Sequence, residues 1–306
     1  MEREFKKIFW KIGQEITPET FIHADNYICS QQNLIRSLIT YRYYGLLPQI
    51  DTGSKSLTVK ASINNKEINI ENLECKGVTS NGSLIEFENI MLLTMQKKRL
   101  SIPYTKAYSL YIVLKVNPFE QVLIEPVEDE EKPQAYATYE LDIKELERIE
   151  DDELAILKIG NVDSSPGIVD DYVPPCMSVD SYDKLTDYYS TFKKLFEEIQ
   201  SKINLKRALY HEAIYPLQLL QLDLNEFPLS EPPIALIRLM KKIIRTYTFF
   251  IPDIRHVEAV DFSTAYNHND ITEIFKSLLK YLHEVRMIVS KEEKIVVEEE
   301  DFTPKI

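Results

Sequence analysis

The stretch Asp171-Tyr172-Val173-Pro174-Pro175 separates two parts of the sequence that differ in hydrophobic period. From about residue 50 up to this diproline, apolar residues alternate with polar ones, as in Ser56 to Ser62 and Lys66 to Leu73. A period of two with turn residues between the runs is typical of antiparallel sheets. Beyond the diproline, apolar residues recur every three or four positions, which is typical of amphipathic helices. The sequence therefore predicts an α+β protein.

Three regions follow from this change of period. Residues 1–176 are predicted to form an antiparallel β-sandwich or barrel-like domain that begins with a helix, about Pro18 to Tyr43. Thr17 suits the N-cap of this helix and Pro18 its first turn. Residues 177–290 are predicted to form an antiparallel four-helix bundle, with helices at about 183–203, 204–224, 231–250 and 270–289. Residues 291–306 read as an acidic tail and Pro126 to Pro133 as an exposed loop.

Composition and charge exclude several classes of function. The 306-residue chain has a formal net charge of −13, which disfavours binding to nucleic acid because phosphate contacts need clustered Lys and Arg. Only 7 glycines occur, and no Gly-rich phosphate-binding motif is present. The 3 cysteines are scattered, as is typical of reduced thiols in a cytoplasmic protein. No apolar run reaches the length of a membrane span, so direct membrane insertion is not expected.

The sequence predicts no catalytic residue, no cofactor and no metal site. His211-Glu212 begins like the HExxH zinc motif, but Tyr215 occupies the position of the second histidine. His256, His268 and His283 have no Cys or His neighbours at the spacing of metal ligands. The chain contains 18 tyrosines, a residue type that is enriched at protein interfaces but fits an ordinary core nearly as well.

The chain carries four short motifs, at residues 9–21, 43–46, 174–175 and 266–270, whose order resembles that of the TssK family of type VI secretion baseplate proteins. The run Phe9 to Phe21 has a tryptophan and a glycine, then a proline shortly before an aromatic residue. Tyr43-Tyr44-Gly45-Leu46 stands where the family has an aromatic-Trp-Gly segment. Pro174 and Pro175 are similar to the diproline that leads from the family's β domain into its helices. Tyr266, His268 and Asp270 resemble the segment that opens the last helix of the bundle.

The resemblance implies a non-enzymatic, cytoplasmic homotrimer that links the baseplate to a membrane-anchored complex. Its N-terminal domain would be the shoulder that docks on the wedge proteins TssF and TssG, and its bundle would be the trimeric neck. The family continues into a C-terminal head domain, which we expect to be missing because the sequence ends at Ile306; either the chain is truncated or its lineage lacks the head. Five residues are candidates for the wedge-docking surface: Trp10, Gly13, Pro18, Phe21 and Tyr27. Alternatively, these residues pack the N-terminal helix against the β-rich domain.

Two other functions stay open at this point. The same plan of a β-rich domain followed by a bundle suits a receptor- or glycan-binding tail protein of a phage or an extracellular contractile injection particle. An enzyme is the third possibility, but no motif supports it. Gene neighbours distinguish the secretion baseplate subunit from the tail protein. Sheath, tube, wedge and envelope genes indicate secretion, whereas capsid genes indicate a phage.

Overall fold

The computed structural model describes residues 6–13, 15–40, 43–49, 55–64, 67–94, 99–103, 109–124, 134–162, 165–206, 208–251, 254 and 266–290. The predicted loop 126–133 and the predicted tail 291–306 lie outside these residues. The helices are α1 (Pro18–Thr40), α2 (Asn89–Thr94), α3 (Asp183–Leu205), α4 (His211–Asn225), α5 (Pro233–Phe250) and α6 (Thr272–Val289). The strands are β1 (Gly45–Leu46), β2 (Leu57–Asn64), β3 (Glu67–Val78), β4 (Leu84–Phe87), β5 (Arg99–Ser101), β6 (Leu110–Ile124), β7 (Gln134–Glu145), β8 (Glu153–Val162) and β9 (Ser165–Ile168).

The chain forms two compact units. The first comprises Met1–Tyr189, Phe227–Arg238 and Ser263–Phe275, and it contains both sheets. The second comprises Ser190–Glu226, Leu239–Phe262 and Lys276–Ile306, and its described residues are mostly helical. The predicted domain ranges 1–176, 177–290 and 291–306 stay a prediction, because compactness alone does not show which part of a chain folds independently.

The first sheet of the first unit is organised around β3, which pairs antiparallel with β1, β2, β4 and β5. Ile68, Ile70, Leu73 and Cys75 of β3 are buried, although the step from Ile70 to Leu73 breaks strict alternation. The register against β2 shifts at the same place, where Glu71 is the extra residue of a β-bulge. The bulge restores the alternation, so both halves of the strand turn their apolar side chains toward the core.

The second sheet has the antiparallel order β7-β6-β8-β9. Its central strand β6 is buried continuously from Leu110 to Leu114, which indicates that both faces of the strand are covered. Tyr111 and Val113 pack in a cluster with Ala155 and Tyr172. The antiparallel α+β prediction is confirmed, and one of the sheets curls into a half-barrel.

The second unit buries the apolar stripes of its helical segments. Phe196 of α3 lies with its ring centroid 5.9 Å from that of Tyr247 of α5. The Thr248 hydroxyl of α5 lies 2.6 Å from the Tyr281 hydroxyl of α6. The core of this unit includes Phe192, Leu195, Phe196, Ile199, Ile203, Tyr210, Ala213, Leu217, Leu220, Leu224, Met240, Ile243, Ile244, Tyr247, Ile251, Ile254, Leu278, Tyr281, Leu282, Val285 and Val289. The four-helix bundle neck itself stays a prediction.

Three helices begin later than the sequence predicts, among them α5, which begins at Pro233 and not at residue 231. The hydrophobic period predicts the second helix from residue 204, but α4 begins at His211. Between α3 and α4 the chain turns, and the amide of Leu209 donates to the carbonyl of Lys206. The last helix is predicted from residue 270, but α6 begins at Thr272. The residues just before it are held by side-chain contacts to the sheets, which take the place of helical hydrogen bonds.

Candidate docking surface and junction cluster

The N-terminal segment and α1 carry many apolar side chains that the rest of the described chain does not cover. We call them the N-terminal apolar surface. Phe9 is 78 % exposed, Trp10 51 % and Phe21 58 %. The surface consists of Phe9, Trp10, Ile12, Ile16, Phe21, Ile22, Ile28, Leu34, Ile35 and Leu38. Large exposed apolar patches are uncommon on monomeric proteins and mark interaction sites. The number of exposed large apolar side chains therefore makes this part of the chain a candidate interaction site.

Contacts of α1 with the β3–β4 turn hold the helix in place. Asn33 Nδ2 donates to Ser83 Oγ at 3.3 Å. Gly82 has a φ of +85° and lies so close to the helix that a Cβ on it would come within 2.2 Å of the Asn33 carbonyl oxygen. A glycine is therefore required at this turn both for its backbone conformation and for the close approach of the helix.

The five wedge-docking candidates occupy distinct positions on this part of the chain. Trp10 and Phe21 project from the N-terminal apolar surface, and Tyr27 is half-buried on α1. Gly13 has a φ of +83° in a turn, and a Cβ on it would meet no atom within 4 Å. Pro18 is the first residue of α1, as predicted. Their role in docking stays a prediction.

Pro174 and Pro175 are buried against β1. The Leu46 amide donates to the Pro175 carbonyl at 2.8 Å, and the Met177 amide donates to the Leu46 carbonyl at 3.0 Å. Gly45 has a φ of +121°, and a Cβ on it would lie 2.2 Å from the Pro175 backbone carbon. The diproline is thus joined to the first sheet through a glycine that leaves room for its backbone.

The segment before α6 makes hydrogen bonds to the same region. His268 Nε2 lies 2.6 Å from the Tyr44 carbonyl oxygen, and His268 Nδ1 lies 2.6 Å from the Tyr266 hydroxyl. Because a carbonyl only accepts, Nε2 carries the proton and Nδ1 accepts from Tyr266. Burial lowers the pKa of His268 below its ordinary value, so the neutral ring is favoured.

Asp270 makes charged contacts from the same segment to the second sheet. Its carboxylate accepts from Lys158 Nζ at 2.5 Å and from the Tyr111 hydroxyl at 2.7 Å. The Tyr172 hydroxyl donates to the Asn269 carbonyl at 2.8 Å. Together with Gly45, Leu46, Pro174 and Pro175, the residues Tyr44, Tyr266, His268 and Asp270 make up what we call the junction cluster, all of it within the first unit.

The sequence motifs include every member of the junction cluster but do not show that they meet, nor that Asp270 has partners on the second sheet. Gly45 and the Tyr266-to-Asp270 segment are more than 200 residues apart in the sequence, with the diproline between them. A single sequence does not show contacts between residues at such separations. Lys158 and Tyr111 were missed, because a lysine and a tyrosine in apolar strands resemble ordinary strand residues. The local signal for Lys158 is its position as a lysine within the otherwise apolar run of β8.

Glu150, Asp152 and Glu153 bring carboxylate oxygens within 4.8 Å of one another, a spacing that could hold a cation. Lys115 Nζ already contacts Glu150 at 3.1 Å and Asp152 at 3.2 Å. Lys144 Nζ lies 2.5 Å from Glu153. The hydrogen bond from Lys115 lowers the pKa of the Glu150 carboxyl. These ammonium groups supply the positive charge that the carboxylates need, so the cluster is an ion-pair network.

No described helix combines the length and apolar character that crossing a bilayer requires.

No family model and no curated protein matches the sequence. Several solved structures do match its fold. A crystal structure of TssK aligns over 92 % of this chain and 69 % of its own, with a TM-score of 0.61 and 12 % identity.

Two further structures show the same similarity. One is a cryo-electron microscopy structure of the type VI secretion TssK–TssF–TssG baseplate subcomplex, which covers 93 % of this chain and 100 % of its own with a TM-score of 0.55 and 13 % identity. The other, TssK from EAEC bound to a nanobody, covers 87 % of this chain and 69 % of its own with a TM-score of 0.54 and 11 % identity. The chain therefore has the fold of TssK, a protein of the type VI secretion baseplate.

Proposed function

We propose that this chain is a structural baseplate subunit of a type VI secretion machine. The observation that carries the proposal is the TssK fold over 92 % of the chain, with a further match to a chain of the TssK–TssF–TssG baseplate subcomplex. The proteins that share the fold are structural baseplate components. The proposed function is mechanical. It depends on the surfaces that bind partner proteins more than on any reactive group.

The wedge proteins are the first proposed partners. TssK occurs together with TssF and TssG in a solved subcomplex, so we assign the counterparts of TssF and TssG to this chain. The N-terminal apolar surface supports this assignment, because it offers large side chains to a partner. Trp10 and Phe21 would be its anchors, since aromatic residues dominate binding energy at interfaces.

A second exposed apolar face, on α4, supports the proposed homotrimer and its neck. Tyr215, Leu219 and Leu222 lie on α4 at a spacing of four and three residues, and all three are exposed. The opposite face of α4 is buried in the second unit. A helix that is apolar on two faces is typical of one that packs on both, so α4 would contact another copy in a bundle that acts as the trimeric neck.

The adaptor role completes the proposal. The trimer would lie in the cytoplasm at the inner face of the membrane and link the wedge to a membrane-anchored complex. Contact with that complex would be through protein surfaces and not through insertion into the bilayer.

Substitution of Trp10 by alanine tests the wedge assignment. The protein would be co-expressed with the TssF and TssG counterparts from its own gene cluster and purified by a tag on the wedge. Loss of a buried aromatic anchor costs about 2 kcal/mol or more, which is about thirtyfold in affinity. Phe249→Ala is the matched control, because Phe249 is also highly exposed but belongs to the second unit.

The outcomes separate docking from packing. Loss of capture for Trp10→Ala, with circular dichroism and mass unchanged, supports the assignment. Unfolding of Trp10→Ala would favour the alternative, in which these residues pack the N-terminal helix against the sheets. Equal capture of both variants would contradict a docking role for Trp10.

A further inference from the structure

The first described segment of the chain, residues 6–13, has a charge opposite to that of the molecule. It contains Lys6, Lys7 and Lys11 and no acidic residue, whereas the whole chain has a net charge of −13. All three lysines are exposed. A local positive charge on an acidic protein is felt mainly by groups within about 8 Å at physiological salt. The segment therefore presents three ammonium groups to a close partner.

Apolar side chains alternate with these lysines. Phe9 is 78 % exposed, Trp10 is about half exposed, and Ile12 is exposed over its entire side chain. Lys11 Nζ lies 5.8 Å from the centre of the Phe9 ring, so a cation stands beside an exposed aromatic face. The segment thus combines large apolar groups, which favour removal from water, with ammonium groups that need an anionic neighbour when they are partly desolvated.

The segment is also anchored, which reduces the entropy lost on binding. His23 Nε2 of α1 lies 3.0 Å from the Lys6 carbonyl oxygen. The turn at Gly13, with its φ of +83°, precedes the start of α1 at Pro18. The contact with His23 restricts the backbone at the start of the segment, and such preorganisation favours affinity.

We infer that residues 6–13 bind an apolar cleft of the wedge partner whose rim carries Asp or Glu carboxylates. This inference rests on the proposed function and specifies the chemistry of the partner's site. Phe9, Trp10 and Ile12 fill the cleft, and Lys6, Lys7 and Lys11 pair with its rim. The pairs steer association and fix orientation, while the apolar groups supply most of the affinity.

An anionic bilayer shares the chemistry of such a cleft, but the charge of the molecule disfavours it. A bilayer is an extended negative plane, so it would face much of the acidic surface along with the three lysines. A cleft of finite size meets only the segment, because charges farther than the screening length contribute little. The observations therefore favour a protein partner, and a bilayer becomes an outcome of the test.

The experiment measures association of the full chain with the purified TssF–TssG counterpart from the same gene cluster, at about 50 mM and about 500 mM salt. The test variant is Lys6→Glu, Lys7→Glu and Lys11→Glu combined. The matched control is Lys76→Glu, Lys194→Glu and Lys280→Glu, which changes the net charge equally at exposed lysines elsewhere. We expect the test variant to associate about tenfold or more slowly at low salt, and the control to stay within about twofold of the wild type.

Each outcome has a distinct meaning. A rate difference that disappears at high salt supports the inference, and the corresponding Lys→Gln variant should then fall between wild type and the Glu variant. Equal rates for the test and control variants overturn it. Binding of the wild type to vesicles of phosphatidylcholine with phosphatidylserine, lost in the test variant, also overturns it in favour of a membrane surface. If the wild type does not bind the wedge complex at all, the proposed function fails first.

Discussion

Gly45 of the first sheet lies directly against the backbone of the diproline. Its φ of +121° is one that other residues rarely adopt, and its missing side chain leaves space for the Pro175 backbone. The neighbouring Leu46 is fully buried and exchanges backbone hydrogen bonds with the segment 175–177. A single glycine thus permits both the backbone path and the contact that joins β1 to the diproline.

Gly45→Ala is therefore expected to destabilise the protein strongly. The added methyl meets backbone atoms at 2.2 Å, which cannot move aside as a side chain can. We expect a loss of about 2 kcal/mol or more in the free energy of unfolding, measured by urea denaturation. Gly13→Ala is the control for conformation alone, because Gly13 also has a positive φ but open space around it. Its cost should stay near 1 kcal/mol; equal losses for both variants would show that the contact with Pro175 contributes nothing.

At the scale of elements, the hydrophobic period predicted most of the architecture. Leu185, Phe192, Phe196 and Ile199 lie at helical spacing, and they are buried on α3 as that spacing predicts. The paired strands could not be assigned from the period, because neither the order β7-β6-β8-β9 nor the bulge at Glu71 leaves a local pattern. For the candidate surface, sequence motifs pointed to Trp10 and Phe21, but only the structure showed that they are exposed.

The segment that precedes α6 should make stability depend on pH. His268 is neutral and fully hydrogen-bonded in the folded state, and burial lowers its pKa below the ordinary value of 6.5. Its contribution is fully present above the unfolded pKa and is lost as the pH falls below about 6.5, because the unfolded chain then binds the proton more readily. Between pH 7.5 and 5.5 the loss is at most about 1.4 kcal/mol.

His268→Gln is the variant that checks this effect. Glutamine can still donate to the Tyr44 carbonyl and accept from Tyr266, but it does not titrate. The urea midpoint of the wild type should fall more between pH 7.5 and 5.5 than that of the variant, since all other titrating groups are shared. Parallel changes in the two proteins would show that His268 does not couple protonation to folding.

At the scale of the whole molecule, charge and apolar surface indicate different partners for the α4 stripe and for residues 6–13. A net charge of −13 opposes contact between copies, so self-association requires a surface on which apolar burial outweighs that repulsion. The α4 stripe of Tyr215, Leu219 and Leu222 has this character. The lysines of residues 6–13 suit an acidic partner instead. The two surfaces therefore fit different partners, as the proposed adaptor role requires.

Leu219→Asp is expected to dissociate the proposed trimer. Leu219 lies at the middle of the α4 stripe and is 46 % exposed, so an aspartate there is tolerated in the folded monomer. At a contact between copies it would bury an unpaired carboxylate, which is far costlier than the loss of one leucine. Light scattering after size-exclusion chromatography should give about three times 35.8 kDa for the wild type and 35.8 kDa for the variant.

Gln221→Asp adds the same charge to α4 away from the stripe and should stay trimeric. A monomeric wild type at micromolar concentration would contradict the trimer, whereas a trimeric Leu219→Asp variant would place the contact elsewhere on the molecule.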